Sequence, residues 1–199
     1  PTEIILDIDA TDDPTHGNQE GSYFHGYYDH YCYLPLYIFS GDDLLSARLR
    51  TSDCDPSEGV LPDLARIVNR IRQTWPTTRI IVRGDSGFCR EDLMAWCEVR
   101  GVDYVLGLAK NARLEKMIKK DLKKSKRKFK RTGKPSKRYR NLNYRTLSTW
   151  SKKRRVVAKA EHLDKGANPR FVVTTLKKAE HSARALYEDV YCARGDMEN

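Results

Sequence analysis

The feature that most restricts the fold of this chain is a change of periodicity partway along it. In TEIILDIDAT, Ile4, Leu6 and Ile8 fall on one face and Ile5, Asp7 and Asp9 on the other, the period of two that a strand requires. Turn formers fill DDPTHGNQEG, and YFHGYYDHYCYLPLYIFSG then reads as two aromatic-rich strands, punctuated by Pro35 and ended by Gly41. LLSARLR supplies a third short strand, so the opening predicts an antiparallel meander that starts with the Asp9 strand. From Glu58 to Trp75 the period becomes helical, with Val60, Leu61, Leu64, Ile67, Val68 and Ile71 on one face and Ser57 as cap. A strand TRIIVRGD, a turn at SGF, a helix from Arg90 to Arg100 stopped by Gly101 and a strand VDYVLGLA follow. A meander that gives way to alternating strands and helices predicts an α/β fold, a mixed sheet flanked by helices.

The second half is dominated by charge. Between Lys110 and Glu180 there are 26 Lys and Arg against 5 Asp and Glu, which leaves 11 basic and 22 acidic residues elsewhere. An acidic body thus carries a basic segment suited to neutralising phosphates. KMIKKDLKKSKRKFKRTGKPSKRYR begins as a helix and, with Gly133 and Pro135 as breakers, is expected to dissolve into an exposed arm. YRTLSTW, RRVVAKAEHL and RFVVTTL then predict two or three strands. From Ser182 the helix returns, and Tyr187, Tyr191, Arg194 and Glu198 follow at steps of four, three and four, so one face is expected to carry them.

Composition removes several classes. The five cysteines are odd in number and contain no CxxC pair, which excludes a disulfide framework and a zinc ribbon and suggests reduced thiols in a cytosol. No apolar run approaches a membrane span and no signal peptide is visible, so no membrane partner is expected. The first residue is Pro1 rather than Met and the helical pattern is unfinished at Asn199. The sequence reads as a piece of a longer protein.

Two aspartates share a setting suited to chemistry. Asp9 and Asp85 each end an apolar strand and precede a small residue and a turn, the place where ligands gather in α/β sheets. Carboxylates brought together on adjacent strands repel unless a divalent cation lies between them, so the pair reads as a magnesium site. A third carboxylate from a helix would complete a centre able to act on a phosphodiester. Asp7, on the same side as Asp9, is the rival for first ligand, and an Asp after a strand also serves as an ordinary turn residue. His16 reads as a loop-packing residue, the aromatics from Tyr23 to Tyr37 as core in preference to base-stacking groups, and Glu188, Asp189 and Asp196 as solvated acids.

LDIDATDDPTHGNQEG, RGDSGF and YCARGDMEN, in this order, resemble the DDE transposases of bacterial insertion sequences, in particular the group with a Tyr-x2-Arg-x3-Glu signature, insertion-sequence family 1380. Tyr191, Arg194 and Glu198 match that spacing. The resemblance spans essentially the whole chain. It implies an RNase H-like mixed sheet flanked by helices, with a basic, mostly β insertion before the last catalytic helix. The expected division is residues 1–110 for the first part of the core, 111–180 for the insertion and 181–199 for the truncated helix with the third acid.

It further implies a transposase that cleaves and transfers strands at transposon ends, with Asp9, Asp85 and Glu198 as catalytic and metal-binding residues. Two Mg2+ ions are expected, with Mn2+ able to substitute. DNA, as transposon ends and target, is the implied partner, contacted by Tyr191, Arg194, Lys126, Arg127, Lys128, Lys130 and Arg131. A homodimer on DNA and a bacterial cytoplasmic, nucleoid-associated location are expected. Trp150 lies where the family could hold a flipped base, against the simpler reading as a core residue. The signature continues with a Lys about seven residues past Glu198, beyond this sequence, and an end-recognising N-terminal region would precede Pro1. Alternatives are an RNase H-like nuclease without strand transfer and a non-catalytic nucleic-acid-binding remnant.

Overall fold

The structure, a computed structural model, describes residues 1–197. They form two compact units, one from Pro1 to Asp103 and the other from Tyr104 onward.

The first unit begins with β1 (Glu3–Ala10), β2 (Asp13–Pro14), β3 (Tyr23–His25), β4 (His30–Tyr33), β5 (Leu36–Ser40) and β6 (Asp43–Arg48). α1 (Val60–Thr74), β7 (Arg79–Gly84) and α2 (Glu91–Val99) follow. β1 runs antiparallel to β5, which pairs with β6, and parallel to β7, so the sheet is mixed as expected. Parallel partners need a long crossover, and the segment carrying α1 makes it. Leu6, Ile8, Leu36, Ile38, Ile80 and Val82 are fully buried, as are Leu64, Leu93, Met94 and Cys97 from the helices. α1 turns its Val60, Leu64, Ile67, Val68 and Ile71 stripe inward. Its N-cap is Gly59, in the left-handed region, and not Ser57; the Ser57 side chain is instead bonded to Asp55.

The meander differs from expectation in one respect. β3 and β4 do not join the sheet of β1 but form, with β2, a separate three-stranded sheet in the order β2-β4-β3. Pro35, which lacks an N–H, stands between the two systems. The main meander is therefore β1-β5-β6.

The second unit contains β8 (Asp103–Leu108), α3 (Ala112–Met117), α4 (Lys119–Thr132), β9 (Ser136–Tyr144), β10 (Arg154–Leu163), β11 (Gly166–Ala167) and β12 (Arg170–Thr174). β10 is the spine, antiparallel to β9, β12 and β11, and β12 continues antiparallel to β8. The expected basic arm is in fact a regular helix. α4 runs to Gly133, whose φ of 64° ends it. Its inner side is anchored by Ser125, which donates to the Ala160 carbonyl at 2.7 Å, and by Phe129, edge-on to His162 with ring centroids 5.2 Å apart. The second half of the arm, SKRYRNLNY, is β9. YRTLSTW is mainly loop.

The closing helix also departs from the expected form. Only Ala183–Ala185 is α-helical, Leu186–Tyr191 is a π-helix and Cys192–Met197 a 3-10 helix. The spacing of four and three from Tyr187 to Tyr191 and Arg194 therefore does not mark a single α-helical face here, and the further step to Glu198 lies outside the described residues. Among the described residues no helix is long and apolar enough to cross a membrane.

Candidate functional site

The parallel pairing of β1 with β7 sets the site. Asp7 stands opposite Arg83 in the register, and two residues further along each strand come Asp9 and Asp85. Because side chains alternate, each aspartate projects to the same side as the residue two before it. Asp85 lies just past the strand yet keeps an extended backbone, with φ −77° and ψ −169°. Its Oδ1 accepts from the Gly87 N–H at 2.8 Å, which holds the carboxylate at the start of a 3-10 turn, Ser86–Phe88. Both Asp9 and Asp85 are half-buried.

Asp7 has a different occupation. It is buried, and its two carboxylate oxygens accept from Arg83 Nε at 2.6 Å and Nη2 at 2.7 Å. Such a bidentate fork is a strong charge-assisted pair, and it takes up the oxygens that a metal would need. The arginine partner was not anticipated, although its position two residues before Asp85, like that of Asp7 before Asp9, was open to reading.

Gly84, between Arg83 and Asp85, permits a close approach. A Cβ there would lie 2.8 Å from Ile8 Cγ1 and 3.2 Å from Phe88 Cδ2. The small residue thus lets β7 and its turn close onto β1 beneath the acids.

The three-stranded sheet adds groups beside the acid pair. His30 Nε2 lies 2.7 Å from Asp12 Oδ2, three residues past Asp9. The His30 ring stacks with Tyr28 at 6.0 Å, and Tyr28 also meets His25 at 4.8 Å. Burial pushes the Tyr28 hydroxyl above its ordinary pKa, and the negative fields of Asp12, Asp9 and Asp85 add to that effect. One phenol therefore feels both candidate acids. His16, by contrast, is exposed, and its carbonyl accepts weakly from Gln19.

Glu198 lies outside the described residues. Of its expected companions, Tyr191 is half-buried and its ring lies 5.6 Å from Tyr187, while Arg194 is half-buried in the 3-10 segment. Glu188 is not simply solvated. It accepts from Arg184 at 2.5 Å and from the Tyr139 hydroxyl at 2.7 Å, and those two donors depress its pKa to about 2.

Lys126, Arg127, Lys128, Lys130 and Arg131 are all exposed on α4. Three of them, Arg127, Lys128 and Arg131, line a groove of about 450 Å³ with Lys124 and Arg138. Lys126 and Lys130 do not line it. Lys124 was missed, although its spacing to Arg127, Lys128 and Arg131 is that of one helical stripe; Arg138 was missed because β9 was not anticipated. Trp150 is buried, edge-on to Tyr144 at 5.7 Å with the Arg154 guanidinium over its ring. It is a core residue.

The chemistry of the acid pair fits a hard divalent cation, since carboxylate oxygens at two adjacent strand ends are its preferred donors. Among the described residues no cluster of three metal-ligating side chains is found.

Comparison with known proteins agrees with this architecture. A search of curated proteins finds no match. The chain is similar in fold to a cryo-EM structure of the piggyBac transposase synaptic complex with hairpin DNA, with a TM-score of 0.51 at 12% sequence identity. The likeness covers 98% of this chain and 38% of that one. The family described as transposase DDE domain group 1 matches residues 1–199. With a mixed sheet, an aspartate near the end of each of two neighbouring strands and a family match from end to end, this chain belongs to the transposase DDE domain group 1 family.

Proposed function

We propose that this chain is the catalytic core of a DNA transposase that cleaves strands at transposon ends and transfers the resulting 3′-hydroxyl to target DNA. The observation that supports the reading is the β1–β7 register, in which Asp7 stands opposite Arg83 and is held by it, with Asp9 and Asp85 each two residues further along the chain. Asp9, Asp85 and Glu198 are the catalytic carboxylates and would hold two Mg2+ ions, with Mn2+ as substitute. Bound there, such ions activate the attacking oxygen and stabilise the leaving one. Asp85, oriented by Gly87 N–H, and Asp9 present oxygen donors from rigid strand ends, and the buried Asp7–Arg83 pair fixes their spacing.

Lys126, Arg127, Lys128, Lys130 and Arg131 hold the phosphate backbone, and Tyr191 and Arg194 contact phosphates nearer the cut. Within this reading residues 1–110 form the first part of the core, 111–180 the basic insertion and 181–199 the helix of the third acid. The chain is a member of insertion-sequence family 1380 with its Tyr-Arg-Glu-Lys signature. It acts as a homodimer on DNA, in association with a bacterial nucleoid.

The test is nicking of supercoiled plasmid by the full-length protein with Mg2+ or Mn2+. Asp85→Ala is expected to abolish nicking, and a variant that cuts as well as wild type refutes the metal-site assignment. Covalent joining of a pre-cut transposon end to target DNA distinguishes transposition from hydrolysis alone.

A further inference from the structure

The segment between β6 and α1 is a loop, yet it is anchored to the sheet and pressed against the turn that follows Asp85. Arg50 does the anchoring. Its carbonyl accepts from the Leu34 N–H at 2.9 Å, and its Nε donates back to the Leu34 carbonyl at 2.8 Å. The same guanidinium reaches forward, with Nη1 donating to the carbonyls of Pro56 at 3.1 Å and Glu58 at 2.6 Å. One side chain thus ties residues 56–58 to the entrance of β5, the strand that pairs with β1.

The anchored loop meets the Asp85 turn at two points. Asp55 Oδ2 accepts from Arg90 Nη2 at 2.9 Å, and Arg90 is the N-cap of α2, two residues past the turn. Pro56 meets Gly87. A Cβ on Gly87 would fall 3.1 Å from Pro56 Cβ and 3.0 Å from Asp85 Oδ1. The proline ring and the carboxylate therefore close on the same residue, and only one without a side chain fits there.

The turn depends on such support. Its own backbone bonds, from Phe88 N–H to the Asp85 carbonyl and from Cys89 N–H to the Ser86 carbonyl, are both 3.4 Å long, beyond the ordinary range for amides. The bond from Gly87 N–H to Asp85 Oδ1 is short by comparison, at 2.8 Å. Phe88, 1% exposed, pins the far end of the turn in the core, and Pro56 meets its middle. Because Oδ1 is committed to Gly87, the plane of the carboxylate, and with it the aim of Oδ2, follows the position of that N–H.

We propose that Pro56, carried by the loop that Arg50 anchors, is a positioning residue for the metal-dependent cut: it holds Gly87 against the Asp85 carboxylate and so fixes the oxygens that Asp85 offers to the cation. The inference rests on the assignment of Asp85 as a metal ligand. Loss of a group that orients a ligating carboxylate typically lowers metal affinity by about 10–100-fold.

The test reads metal binding directly, from the electron paramagnetic resonance signal of free Mn2+ titrated with the full-length protein, and beside it the Mg2+ concentration that gives half-maximal plasmid nicking. Pro56→Gly is expected to weaken Mn2+ binding about tenfold and to raise the half-maximal Mg2+ by a similar factor, with a smaller change in the rate at saturating Mg2+. Pro56→Ala, which keeps the Cβ that touches Gly87, is expected to fall between Pro56→Gly and wild type. If circular dichroism shows Pro56→Gly unfolded, Asp55→Asn decides by the same readouts: it keeps an Oδ1 acceptor for Ser57 and loses the charge that pairs with Arg90, an exposed pair whose loss costs little stability. Unchanged Mn2+ affinity in the folded variant overturns the proposal. So does a slower rate at every Mg2+ concentration with the half-maximal point unmoved, which would make the loop a general support. Mn2+ binding by Asp85→Ala equal to wild type removes Asp85 from the metal site and this proposal with it. Lost binding in Asp85→Ala beside unchanged binding in Pro56→Gly overturns this proposal alone.

Discussion

Asp7→Asn separates the structural aspartate of β1 from the catalytic one. The Asp7 and Arg83 side chains are only 2% and 8% exposed, so solvent screens their attraction little. Neutralising Asp7 takes the bidentate carboxylate away from a buried guanidinium, and breaking a buried pair of this kind costs about 3–5 kcal/mol. In a chain of this size each kcal/mol lowers the melting temperature by about 2–4 °C, so a fall of roughly 6–20 °C is expected. Urea denaturation and thermal melting followed by circular dichroism measure it. Asp7→Leu combined with Arg83→Met removes both charges and is expected to recover most of the loss. Asp9→Asn, at a half-buried position, is expected to melt close to wild type. At a temperature where each variant is folded, Asp7→Asn should retain nicking and Asp9→Asn should lose it. An Asp7→Asn protein that melts like wild type but does not nick would show that Asp7 is the ligand and refute the reasoning.

Gly84→Ala forces a methyl group against Ile8 and Phe88; a destabilisation of about 1–3 kcal/mol is expected from such overpacking, and a denaturant midpoint equal to wild type would contradict it. Replacing Lys124, Arg127, Lys128 and Arg131 together by Gln should reduce the slope of log affinity against log salt by about 0.9 for each phosphate that is no longer neutralised, as measured by fluorescence anisotropy with duplex DNA. An unchanged slope would remove the groove from the interface. Glu188, with its pKa held at about 2 against an ordinary 4.5, binds fewer protons folded than unfolded, so its contribution is complete above about pH 4.5 and is lost as pH falls toward 2. Glu188→Gln should therefore destabilise the protein at pH 7 and make no difference near pH 2, and a gap that persists in acid would contradict the linkage.

Much of the first unit was legible because its strands alternate and its helices carry broad apolar stripes. TEIILDIDAT and TRIIVRGD announced β1 and β7 together with the aspartates at their ends. What the residues alone left open was that Asp7 is buried and gripped by an arginine on the neighbouring strand, Arg83. The second unit was harder to read. α4 has two large apolar residues, Leu122 and Phe129, with Ser125 completing its inner stripe, and nine lysines and arginines among its fourteen residues mask that period. β9 hides its inward Leu142 and Tyr144 behind charges that find partners in space, such as Arg140 with Asp121 at 3.1 Å. Pairings of that kind leave no trace in local spacing. The separate β2-β4-β3 sheet was obscured by the turn formers between residues 11 and 22, which conceal a strand of only two residues.

The π-helical segment from Leu186 to Tyr191 sets the direction of the 3-10 segment that follows it, Cys192–Met197. A π turn holds one more residue than an α turn, and such segments are tolerated mostly where function depends on them. Removing one residue from it would let the backbone relax into an ordinary α-helix, which is intrinsically the more comfortable state. The same deletion would rotate the downstream residues, Arg194 included, by about 100° relative to Tyr187. The segment thus acts as an indexing element, in that it sets the angle at which Arg194 follows Tyr187.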